Sequence, residues 1–97
     1  MKYAIHTTAV FDKWATNLKD RQAAMAIAMR LDRVANGNLG DVKSLGEGIS
    51  EMRIFVGLGY RIYFTIRNGE IIILLCGGDK STQQRDIKKA KELAKNL

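Results

Sequence analysis

The sequence predicts an α+β domain: an antiparallel sheet with an N-terminal helical hairpin packed on one face and a C-terminal helix. Three observations carry this. Apolar residues recur at helical spacing up to Ala35, they alternate with polar ones between Ile49 and Gly77, and helical spacing returns beyond Ser81. The length of 97 residues fits one domain spanning 1–97. A chain this short buries roughly 60–65% of its unfolded surface, so its core is thin.

Segment Lys2–Thr7 alternates loosely and suits a short first strand. Thr7 or Thr8 then caps a helix whose Phe11, Trp14, Ala15 and Leu18 fall at i, i+3, i+4 and i+7. Lys19-Asp20 interrupts that stripe, and a second helix follows with Ala24, Ile27, Ala28, Leu31, Val34 and Ala35 on one side. Asn36-Gly37 ends it as a left-handed C-cap pair. Three strands are predicted at Ile49–Val56, Tyr60–Arg67 and Glu70–Gly77, joined by Gly57-Leu58-Gly59 and by Asn68-Gly69, a type I′ hairpin signal.

Those turn lengths set a register. Ile66 then faces Ile71, Phe64 faces Ile73 and Ile62 faces Leu75, while Ile54 faces Ile62 and Met52 faces Phe64. One sheet face is apolar throughout and forms the core under the helices. The other carries Glu51, Arg53, Phe55, Arg61, Tyr63, Thr65, Leu74 and Cys76, with Arg53 opposite Tyr63. Two readings of that face stay open: a solvated surface with snorkelling arginines, or a site on which two guanidinium groups and a phenol converge. Ser81 and Gln84 fit a capping box for a last helix with Ile87, Ala90, Ala94 and Leu97 inside. Its outer side holds Arg85, Lys88, Lys89, Lys91 and Lys95.

The chain has 16 Lys and Arg against 10 Asp and Glu, a net charge of +6. That balance serves solubility or an anionic partner, either nucleic acid or an acidic protein. A single histidine and a single cysteine exclude a Cys/His metal constellation, and there is no Walker A loop. His6 lies on the first strand without triad spacing. Neither a metal nor a cofactor is expected. The lone Cys76 suits a reducing cytoplasm, no basic-then-apolar leader is visible, and the longest apolar run, Ile71 to Cys76, is too short to cross a bilayer. A cytoplasmic protein without membrane association is the expectation.

Three phrases carry a family resemblance. Asn38–Gly48 (NLGDVKSLGEG), Ser50–Ile54 (SEMRI) with Gly59–Phe64 (GYRIYF), and Leu74–Gln83 (LLCGGDKSTQ) resemble the HigB-like addiction-module killers of the RelE/ParE superfamily. Phe11–Trp14 and the Ala-rich second helix match as well, so the likeness covers nearly the whole chain. Gly57-Leu58-Gly59 stands where such proteins commonly have Gly-Pro-Gly.

The resemblance implies a RelE-like fold with one sheet face open to its target. It also implies the toxin of a type II toxin–antitoxin system, acting as a metal-independent endoribonuclease that cuts messenger RNA on the ribosome. Arg53, Arg61, Tyr63 and Lys80 are then the candidate catalytic residues, and Gln83, Arg85, Lys88 and Lys89 the candidate RNA and ribosome contacts. The implied partners are a cognate antitoxin with a helix-turn-helix, mRNA on the ribosome, and operator DNA through the antitoxin alone. ParE-type relatives share the fold yet inhibit DNA gyrase, and an inactive antitoxin-binding module is a further alternative. Phe55, Leu74 and Cys76 are the apolar residues expected to be exposed for the antitoxin.

Overall fold

The computed structural model describes residues 2–97. In chain order the elements are β1 (Ala4–Thr7), α1 (Ala9–Thr16), α2 (Arg21–Ala35), β2 (Val42–Gly46), β3 (Ile49–Ile54), β4 (Tyr60–Arg67), β5 (Ile71–Asp79) and α3 (Gln83–Lys95), with a 3-10 turn at Lys80–Thr82 before α3. The sheet runs β1-β5-β4-β3-β2. It is antiparallel except for β1, which pairs parallel with β5. The expected α+β class, helical hairpin and C-terminal helix are all present.

The hairpin helices begin where local chemistry directs. Thr8 accepts from the Phe11 amide at 3.0 Å, and its hydroxyl donates to the Leu75 carbonyl at 2.7 Å, so one residue caps α1 and pins it to β5. Asp20 accepts from the Ala23 amide at 3.1 Å to start α2. The Lys19-Asp20 interruption is therefore a cap. The buried stripe of α2 is Ala23, Ile27, Arg30 and Val34, rotated from the expected one, and Ala24 and Ala28 are exposed. Arg30 belongs inside because it is a clamp. Its guanidinium donates to the carbonyls of Leu39 (3.1 Å), Arg53 (2.8 Å) and Asp41 (2.8 Å), tying α2 to the 39–41 loop and the end of β3.

Under the hairpin lies one core, built on Phe11, Ile27, Val34, Met52, Ile54, Ile62, Phe64, Ile72 and Leu74. The β3 and β4 members are those expected, although the pairing is Met52 with Ile62 and Ile54 with Tyr60. Here the connection is five residues long. A shift of two leaves side chains on their predicted faces.

The shift in β5 is one residue, and that matters. Asn68 and Gly69 have the positive φ of a type I′ turn (56° and 68°), and the Glu70 amide donates to the Arg67 carbonyl. Pairing nevertheless resumes at Ile71, opposite Arg67, and the Glu70 carbonyl accepts from the Ala4 amide beside β1. The slip turns Ile72 and Leu74 inward, in place of Ile71, Ile73 and Leu75. A bulge between Tyr63 and Phe64 then resets the register to Tyr63 opposite Cys76. It sends Leu75 and Cys76 to the second face, where they are buried with Tyr63, Ile49 and Ala90.

That second core is the main correction to the sequence reading. The face opposite the hairpin is covered by α3, through Asp86, Ala90 and half-buried Ile87, Leu93 and Ala94. Leu74 and Cys76 are buried, at 0% and 2% exposure, and only Phe55 of the expected apolar trio is exposed, at 77%. The Gly77-Gly78 pair explains how two helices approach one strand. A Cβ on Gly77 would run into the Trp14 ring of α1, and one on Gly78 would overlap Asp86 of α3 and Thr82. Ser81 is not the α3 cap. Asp79 accepts from the Ser81 amide (2.8 Å) and hydroxyl to hold the 3-10 turn, and the helix starts two residues later.

Candidate functional site

Neighbouring strands β3 and β4 set Glu51 beside Tyr63 and Arg53 beside Arg61, all pointing away from the hairpin. The expected pairing of Arg53 with Tyr63 is thus replaced by two arginines side by side. Like charges directly opposite repel, and each guanidinium is matched by an acid. Arg53 donates to Asp41 at 3.1 Å, at a site about one-third exposed. Arg61 is nearly buried, with Nε 3.3 Å from Oε1 of Glu51 and Nη1 donating to the Gly59 carbonyl at 3.3 Å. Glu51 is itself buried and also accepts from Gln83 at the start of α3, at 2.9 Å. Gln83 therefore reads as the link between α3 and the arginine pair.

Tyr63 is wholly buried, and its hydroxyl has no hydrogen-bond partner among the described residues. Burial, then the nearby Glu51 and Asp86 charges, push its ionisation well above the ordinary phenol range. It offers no ring face to a base in this arrangement. Cys76 is likewise inert: burial and Asp86 push its thiol up to about 12. Tyr60 is the other buried phenol, 3.4 Å from Asp20, and is also shifted upward by burial first.

Arg53, Arg61 and Lys80 do come together. They line a cleft of about 210 Å³ with Phe55, Tyr60 and the 57–59 loop. Phe55 and Leu58 are exposed on its rim. Gly57 and Gly59 both take positive φ there, at 57° and 77°, and so build the loop. Adjoining the cleft, Lys80, Gln83 and Arg85 border a shallow polar depression at the start of α3. Lys88 and Lys89 are exposed one turn further along that helix, and Lys89 with Arg85 borders a separate groove between α1 and α3.

Among the described residues no three His, Cys, Asp or Glu side chains cluster as metal ligands, and no helix is long and apolar enough to cross a membrane. Sequence reasoning assigned no role to Glu51, Asp41 or Arg30. Only Glu51 carried a signal, as an acid alternating with two arginines on one strand face.

Comparison with known proteins agrees with this architecture. Residues 10–97 match the family described as phage derived protein Gp49-like (DUF891). An uncharacterised protein of Haemophilus influenzae is 52% identical over 97 residues, covering 100% of this chain and 98% of that one. Among solved structures, a free-state double mutant of the Escherichia coli toxin RelE superposes with a TM-score of 0.74 at 14% identity, over 95% of this chain and 98% of that chain. A RelBE-type toxin–antitoxin complex from Mycobacterium tuberculosis gives 0.64 at 18% identity, over 82% of this chain and 100% of that chain. These structural likenesses establish the fold, and the expected RelE-type architecture is borne out. The chain belongs to the phage-derived Gp49-like family and has the RelE fold.

Proposed function

We propose that this protein is the toxin of a toxin–antitoxin pair and that it cuts messenger RNA held on the ribosome. The observation that carries the reading is the grouping of Arg53, Arg61 and Lys80 around one cleft with an exposed aromatic ring, Phe55, on its rim. Cleavage of RNA by its own 2′-hydroxyl requires three things. The hydroxyl loses its proton as its oxygen attacks the adjacent phosphorus, the phosphorane gains negative charge, and the 5′-oxygen leaves with a proton.

The two guanidinium groups serve the second need. Each is paired with one carboxylate and keeps further N–H donors for phosphate oxygens. Lys80 is a third positive charge on the same cleft and is assigned to the leaving oxygen or a neighbouring phosphate. Phe55 is suited to stack on an unpaired base. Tyr63 acts beneath the surface, as packing behind Arg61 and Glu51. Gln83 and Arg85, with Lys88 and Lys89 beyond, are assigned to phosphates of the message and of ribosomal RNA.

No imidazole lies on the cleft, and a free lysine has a pKa of about 10, poorly matched to proton transfer at neutral pH. The chain on its own is therefore a weak catalyst. The ribosome supplies the missing rate by holding the message in line for attack. The antitoxin is proposed to be a helix-turn-helix protein encoded beside this gene, through which the pair reaches operator DNA.

Induction in bacteria followed by primer extension tests the reading. The expected result is growth arrest with new 5′ ends inside translated regions, relieved by co-expression of the adjacent gene. Intact messages with stalled gyrase would replace it by gyrase inhibition. Full-level synthesis without arrest would leave only an inactive binding module.

A further inference from the structure

A concavity of about 660 Å³ lies away from the arginine cleft, between α1 and α3 across β5. Its floor is apolar. Val10 and Trp14 stand one helical turn apart on α1, Leu18 follows just beyond the helix end, and each of the three is only half-buried. Its walls are basic on both sides. Lys13 and Lys19 rise from the α1 side, while Arg85 and Lys89, four residues apart, rise from α3. The one acid there, Asp86, is buried and accepts from the Thr82 hydroxyl.

We infer that this groove is the docking site of an acidic amphipathic helix from the antitoxin. The inference rests on the toxin–antitoxin reading and names its interface. Val10, Trp14 and Leu18 give the groove an apolar floor for the apolar stripe of a partner helix, and an acidic flank on each side of that stripe meets the two basic walls. RNA fits less well. The cations rim the groove while its floor is a row of aliphatic side chains and the edge of an indole, so phosphates have no partner at its base. Of the two antitoxin contacts expected, the second sheet face or a groove beside it, the face is already covered by α3, which leaves the groove that α3 makes with α1.

Trp14 is the chain's only tryptophan, so its emission reports on the groove directly. The probe is the purified helix-turn-helix protein encoded by the adjacent gene, titrated against this protein. The expected result is a saturable shift of Trp14 emission. A second measurement compares Lys13→Glu/Lys89→Glu with the charge-matched Lys43→Glu/Lys95→Glu; all four lysines are exposed, and both variants should keep the parent's circular dichroism and melting midpoint. Binding should weaken by about 30-fold or more in the first and by less than about 3-fold in the second. Equal weakening in both variants, or a complex that leaves Trp14 emission unmoved, overturns the groove as the docking site while the partner reading stands. Absence of any complex overturns both. Displacement of the partner from Trp14 by a single-stranded RNA oligonucleotide of equal or greater affinity overturns the choice of a protein occupant.

Discussion

Arg61→Ala separates the electrostatics of the arginine pair from its use in catalysis. The substitution removes the cation 3.3 Å from Glu51, whose carboxylate is 2% exposed and keeps only the Gln83 amide as a donor. Breaking one side of a buried ion pair costs about 3–5 kcal/mol, because the other charge is left without compensation. Gln83 stays in place and Arg61 itself is 12% exposed, so the lower end applies, about 3 kcal/mol. For a domain of this size that lowers the melting midpoint by about 12–24 °C. Glu51→Gln in the Arg61→Ala background removes the orphaned charge and should restore stability to within about 1 kcal/mol of the parent. It should not restore growth arrest, because the phosphate-binding cation is still missing. Urea unfolding at pH 7 measures the first effect and an induction assay the second. If Arg61→Ala is as stable as the parent, the pair is not a buried one. If the double variant is no more stable than the single, charge is not the cause. Recovery of toxicity in the double variant would refute Arg61 as a catalytic group.

Three further outcomes follow from the packing. Phe64→Ala empties a fully buried site under the hairpin and should cost about 3–5 kcal/mol by urea unfolding, a large share of a small domain's stability. Gly78→Ala forces a methyl into Asp86 and Thr82, so the start of α3 must shift; a loss of about 1–3 kcal/mol is expected, with weaker Gln83–Glu51 contact visible as faster amide exchange in α3. Cys76 is protonated up to about pH 12 in the folded chain, and a free thiol titrates near pH 8.5. Its raised value contributes stability that is complete below about pH 8.5 and is lost as pH rises toward 12, and Tyr63 acts in the same direction. The urea midpoint should therefore fall between pH 9 and 11, and thiol reagents at pH 8 should label Cys76 only at the unfolding rate.

Much of the fold is written in short-range signals. Thr8 and Asn36-Gly37 mark helix ends by their own side-chain and backbone chemistry, and the alternation in β3 and β4 survives a two-residue error in the loop because strand faces repeat every two residues. What failed depended on long-range partners. Strand β5 pairs along its other edge with β1, a segment far away in sequence, and its start is shifted by one residue from the register the turn alone suggests. Strand β2 reads VKSLG, with too little apolar alternation to announce itself, and it forms because β3 offers an edge. That Arg53 and Arg61 share one sheet face was legible from alternation, but their side-by-side pairing was not, because it depends on the two-residue shift between β3 and β4. The burial of Tyr63 was not, since it depends on α3 folding back over the sheet, which the Gly77-Gly78 pair permits without revealing it. Arg30 sat unremarked in a helical stripe because its three carbonyl partners belong to a loop and a strand end.

The central claim is that the cations around the cleft cut RNA which the ribosome positions. Purified protein should be mixed with a radiolabelled message, either free or threaded through stalled ribosomes with a vacant decoding site, and the products resolved at nucleotide resolution. The account predicts cleavage of the ribosome-bound message at a defined position, little or none of the free message, and loss of that cleavage in Arg53→Ala and in the stable Glu51→Gln/Arg61→Ala variant. Equal cutting of free and bound message, or undiminished cutting by those variants, would contradict it.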